Sequence, residues 1–393
     1  MNISNIVAMI ILVIGLMSCK TERIGPQPVG NLNPALGIEA VPASLGKKYT
    51  RNFNRYTKVS TPNGGAIHIV AQSNISNEQI LRCRSILEHF LQDYEGSAYG
   101  SDKAAIANQM AENNATLTLL NGRDDGRNRV RVPGQALFEE EIQVEGNDWY
   151  VSQSYQNHRD AAFEEILHLV HDTGIGVDGP NSQAGASPEF QQKIRAAQEH
   201  ALNNNIWGMG ADDWIKELTK ENSLSQEYLA AVIDSYYGLW GAWTESSTHG
   251  MWGLYLAKTR EEISQEDPMG EALMHNSFFH PYLTYNARID SGFSGVFSLA
   301  FNSSIPYTHH SRYLKDITLL GKKDTDVKVN ELNNDITGNG GINQVIFSGK
   351  YAEYQVETLG EETIVSDNMA DRDGDNKLRN IEQLQFSDQT IDL

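Results

Sequence analysis

The chain predicts an α+β fold, with a mixed sheet and helices first, a helical second half, and a small all-β domain at the C-terminus. Three observations predict it. Apolar residues alternate at strand spacing over 66–70 and 115–120, with helix-period runs between them. From Glu189 to Leu256 the pattern becomes that of long amphipathic helices. The last eighty or so residues are short β-rich runs, separated by Gly, Asn and Asp.

At 393 residues the chain has length for two or three domains. The domains expected are a signal segment at 1–18, a tether at 19–62, a main domain at 63–310 and a β module at 325–393. A formal charge of −20 and a pI near 4.9 exclude nucleic acid as a partner, because phosphate binding needs a basic face. The acidity suits an exported, calcium-rich setting, and solubility alone explains it equally.

Ile6–Leu16 is apolar but too short to span a bilayer, and it leads into Leu16-Met17-Ser18-Cys19. That string resembles the lipobox of bacterial lipoproteins, although Met1–Asn5 carries no Lys or Arg. The resemblance implies lipid on Cys19, attachment to a membrane of the bacterial cell envelope, and surface exposure. An ordinary signal peptide or short anchor is the other reading. With Cys19 acylated, Cys83 is the one remaining thiol, and its apolar helical surroundings predict a buried, inert side chain.

Pro, Gly and Asn make 20–60 a loosely packed lead-in. A strand is expected at Ala66–Val70, a helix at Asn77–Leu91, a second helix at Ser101–Glu112 and a second strand at Ala115–Leu120. Further extended structure is expected over Phe138–Tyr150, then a helix over His158–Asp172. Amphipathic helices follow at Phe190–Asn203, Asp212–Thr219 and Gln226–Tyr237. In the C-terminal part, strands are expected at Val345–Phe347, Tyr354–Val356, Thr363–Val365 and Leu384–Phe386, with a domain boundary near 310–325.

The most informative run is Glu164-Glu165-Ile166-Leu167-His168-Leu169-Val170-His171-Asp172. On a helix, 164, 168 and 171 fall within about 60° of one another, so a carboxylate and two imidazoles share a face. Glu165 lies about 100° around from Glu164, as the Glu of an HExxH helix lies from its first His. A hydrolytic metal site needs about three protein ligands, an open position and a nearby carboxylate. Glu227, in Glu227-Tyr228-Leu229-Ala230-Ala231, is the best downstream source of the third ligand.

These residues resemble the lethal-factor-like group of zincin metallopeptidases over roughly 65–240, with Glu where the first His of HExxH would stand. The resemblance implies Glu164, His168 and Glu227 as ligands of zinc or another divalent transition metal, Glu165 as general base, and a peptide or protein substrate. Two carboxylates would make the site harder and its water less acidic. His171 offers an alternative ligand beside His168, with Asp172 then sharing the base role. Both histidines also suit a plain helix C-terminus, where the dipole favours their charge. A polar–aromatic cluster (Tyr236, Tyr237, Trp240, Trp243, Glu245, His249, Trp252, then His275, His280, Tyr282 and Tyr285) is either a substrate groove or core with polar tips.

Gly338-Asn339-Gly340-Gly341-Ile342-Asn343-Gln344-Val345-Ile346 resembles one degenerate calcium-binding nonapeptide of RTX-type exported proteins. The closing Leu378–Asp388 string resembles the segment that caps such repeats. One copy is not expected to build a parallel β-roll, since each turn buries its face only against neighbours. Asp371, Asp373, Asp375 and Glu382 carry the oxygen spacing of an EF-type calcium loop, with Asn376 at its Gly position. A solvated acidic hairpin turn explains them equally. The rival to a peptidase is therefore a non-catalytic, calcium-dependent binding or adhesion lipoprotein on a decayed peptidase fold.

Overall fold

The computed structural model describes residues 31–152, 160–179, 182–243 and 248–393. The expected signal segment, the lipidation site Cys19, the first part of the tether, His158 and Glu245 lie outside the described residues. Among the described residues no helix is long and apolar enough to cross a membrane. The architecture is α+β, with three mixed sheets. Contacts divide the chain into two compact units: residues up to Leu91 with Asp102–Ile142 and Ala161–Ala230, and Gln92–Ser101 with Gln143–Asp160 and Ala231–Leu393.

The first unit carries the short helix α1 (Lys47–Thr50) and a sheet in the order β1 (Arg55–Ser60), β2 (Ala66–Ala71), β3 (Thr116–Leu120), β4 (Gln135–Phe138). β1 and β2 are antiparallel, and β2, β3 and β4 run parallel. Parallel neighbours need a long crossover, and α2 (Asn77–Leu91) and α3 (Ala104–Glu112) supply it between β2 and β3. α2 starts where expected because Ser76 and Gln79 form a capping box: the Gln79 N–H donates to Ser76 Oγ, and the Ser76 N–H to Gln79 Oε1. Cys83 is fully buried in α2. All five residues of β3 are buried. β4 lies against β3 because Gly134, at φ +125, has no Cβ; one would meet the Thr116 carbonyl oxygen at 2.4 Å.

The extended structure expected over Phe138–Tyr150 stops at Phe138. A 3₁₀ turn follows at Glu139–Glu141, then a short helix α4 (Asp148–Val151), which Asn147 caps by accepting from the Tyr150 N–H. The helix that carries Glu164 and His168 is α5 (Ala162–Val170), and it widens into a π-helical turn over His171–Ile175. α6 (Pro188–Asn203), α7 (Asp212–Glu221) and α8 (Leu224–Tyr236) follow the expected helical runs.

In the second unit, α9 (Arg260–Glu266) and α10 (Pro268–Met274) precede a β coil that the sequence reading did not foresee. Strands alternate between two sheets: β5 (Leu283–Ile289), β7 (Leu314–Leu319), β9 (Asp335–Thr337) and β13 (Asp375–Arg379) in one, β6 (Gly295–Ser298), β8 (Thr325–Lys328), β10 (Gln344–Ile346) and β14 (Gln383–Gln385) in the other. Successive turns pair in parallel in both sheets. The result is a parallel β-roll of four turns, beginning at Leu283 and interrupted by α11 (Thr308–Ser311). The hairpin β11 (Tyr354–Leu359)–β12 (Glu362–Asp367) extends the first sheet and β15 (Thr390–Asp392) the second.

The nonapeptide-like copy lies within one turn of this roll and does not build it alone. Turns without the glycine pattern supply the missing neighbours, through two buried ladders. Ala287, Ile317, Ile336 and Leu378 stack in one sheet, and Phe297, Val327, Val345 and Leu384 in the other. Buried asparagines tie turn to turn. Asn330 donates to the Leu314 carbonyl, Asn334 to Lys315, Asn339 to Leu320 and Lys323, and Asn343 to Thr325. Gly338 permits the close approach, since a Cβ there would clash with the Asn380 carbonyl oxygen.

Candidate metal centre

α5 forms because Phe163, Ile166, Leu167 and Val170 fall on one buried face, while Glu164 and Glu165 occupy a first turn that favours negative charge. Phe163 meets Phe90 of α2 edge to face, at 6.1 Å between ring centres. This packing carries Glu164 and His168 inward, where they are 4% and 7% exposed. Their i,i+4 spacing places both on one edge of the helix. Glu227 arrives from the first turn of α8.

One ligand atom from each of Glu164, His168 and Glu227 lies within 4.8 Å of the others. Nε2 of His168 is 4.0 Å from Oε1 of Glu227. A transition ion about 2.1 Å from each donor draws such atoms slightly closer together. Two carboxylates converging in a partly buried space repel each other, and a divalent cation cancels both charges. The donor set therefore fits a divalent metal. Among the described residues it is the one such group of carboxylates and imidazoles.

Glu165 is not in this group. Its Oε2 accepts a 2.5 Å hydrogen bond from Gln135 Nε2 and lies 3.5 Å from His168 Nδ1. Asp172 is partly buried; burial pushes its carboxyl up and the nearby His168 pulls the other way.

His171 is turned to a different task. It is fully buried in the π turn, and its Nε2 lies 2.6 Å from Gln191 Oε1. Gln191 donates its amide to Asp178 Oδ1 and Ser225 Oγ, so its oxygen is the acceptor and His171 the donor. Arg195 holds the same Asp178 oxygen. The structure brings Glu164, and not His171, together with His168 and Glu227, and the π turn and Gln191 hold the His171 ring elsewhere. Gln191 was missed, although Gln191 and Gln198, seven residues apart on the buried face of α6, were its signal.

Burial pushes the His171 imidazole down to about 4, against the Gln191 hydrogen bond, which favours the charged form. Between about pH 4 and 6.5 the unfolded chain binds a proton that the folded chain refuses. The stability from neutral His171 is therefore complete above pH 6.5 and lost as pH falls towards 4, about 3 kcal/mol in all. Urea unfolding at stepped pH is expected to show this slope in the wild type and a shallower one in His171→Gln; equal slopes would refute the assignment.

The calcium residues expected from the sequence are not brought together. Asp373 is buried and accepts from the Ser348 N–H, Ser348 Oγ and Tyr354 OH. Asp375 opens β13, and Glu382 accepts the Asn343 N–H. Asp371 is exposed at a left-handed φ of +55. The EF-like spacing thus belongs to a turn and a strand of the roll, where protein donors take the carboxylates of Asp373 and Glu382. Most of the aromatic cluster is core with polar tips: Tyr236, Tyr237, Trp240, Trp243, His280 and Tyr285 are buried, and Tyr237 OH donates to the His280 carbonyl.

No protein family, curated protein or solved structure matches the chain.

Proposed function

We propose that the chain is a metal-dependent hydrolase acting on peptide bonds, with Glu164, His168 and Glu227 as the ligands. The observation that carries the reading is the convergence of these three donors, two buried on α5 and one half-buried on α8. When bound, zinc or a similar divalent transition ion would supply Lewis acidity and a water more acidic than bulk water, though less so than with neutral ligands. Glu164 and Glu227 supply anionic oxygens, and His168 turns Nε2 towards them. Glu165, a carboxylate beside the group and outside it, is the general base of this reading. Support for a peptide substrate comes from β4, the last strand of its sheet among the described residues. An edge strand is the kind of element with which an extended peptide can pair.

The test is cleavage of a fluorogenic peptide library by protein reconstituted with zinc. Cleavage is expected to stop with a chelator and to fall at least about 100-fold in Glu165→Gln, within the range for loss of a positioned base. Cleavage that survives both treatments, or none from any library member, would refute the peptidase reading.

A further inference from the structure

The Glu165 oxygen held by Gln135 is the same oxygen that approaches Nδ1 of His168, while Nε2 on the other side of the ring faces Glu227. We infer that Glu165 and Gln135 are a positioning pair for His168, setting its tautomer and ring orientation for metal binding; this rests on the metal-site reading above. A neutral imidazole that gives Nε2 to an ion carries its proton on Nδ1, and a carboxylate beside Nδ1 holds that proton and makes the ring a better donor. The carboxylate must itself be held. Gln135 does so from the sheet: it pairs with Leu117 of β3, and its carbonyl accepts from Thr118 Oγ1. The geometry thus runs from sheet to Gln135, to Glu165, to His168. Oε2 of Glu165 faces Nδ1, and any proton transfer falls to the other carboxylate oxygen.

The experiment measures zinc affinity against a chromophoric chelator, and the visible spectrum with cobalt(II), for the wild type, Glu165→Gln and Gln135→Leu. Glu165→Gln is expected to weaken zinc by about 10- to 100-fold, and Gln135→Leu to weaken it in the same direction by less. Both are expected to alter the cobalt spectrum while the metal-free melting temperatures stay at the wild-type value. A base-only Glu165 would leave affinity and spectrum unchanged, and that result overturns the inference while the metal site stands. Glu165→Asp is expected to recover part of the affinity; an affinity no better than that of Glu165→Gln also counts against the pair. A wild type that takes up neither metal overturns the metal-site reading itself, and the inference with it.

Discussion

Asn343→Ala lowers the unfolding free energy by about 4 kcal/mol, the cost of several buried groups left unpaired. The Asn343 side chain has no exposure, and its oxygen accepts from the Asn339 N–H. Its amide donates to the Thr325 carbonyl one turn earlier and to Asn339 Oδ1. Its backbone N–H reaches Glu382 on a later turn. One residue therefore joins three turns of the roll, and alanine strands a donor and an acceptor that water cannot reach. Urea unfolding followed by circular dichroism is expected to show a lower midpoint with an unchanged slope. A midpoint equal to the wild type would mean that the apolar ladders hold the turns unaided.

Glu227→Ala reverses sign with metal. In metal-free protein it relieves the approach of two carboxylates, and stability is expected to rise by about 1 kcal/mol. With zinc at a hundredfold excess over its dissociation constant, the wild type gains about 2.7 kcal/mol and the variant very little. The order of melting temperatures is thus expected to cross on adding zinc. Destabilisation of the variant by the same amount with and without zinc would assign Glu227 a purely structural role.

What could be read from the sequence followed the range of the interactions. α2 was legible to its ends because its capping box and apolar period are local. Glu164 and His168 were legible because i,i+4 spacing fixes a shared helix edge whatever the surroundings. His171 was not, since its direction is set by a π turn and by Gln191 on another helix. Gln135 gave no signal, because its meaning depends on where β4 meets α5. The roll was hidden because its turns have no common period: the Phe297–Val327, Val327–Val345 and Val345–Leu384 steps differ widely in length. A repeat search needs a fixed period, whereas stacking needs only matched inward side chains.

On the reading proposed above, Glu164, His168 and Glu227 hold one divalent transition ion. Elemental analysis of the intact protein, loaded with zinc and freed of excess by gel filtration, tests it most directly. About one zinc per chain is expected in the wild type and essentially none in His168→Ala. A wild type without bound zinc, or a His168→Ala variant retaining as much as the wild type, would contradict it.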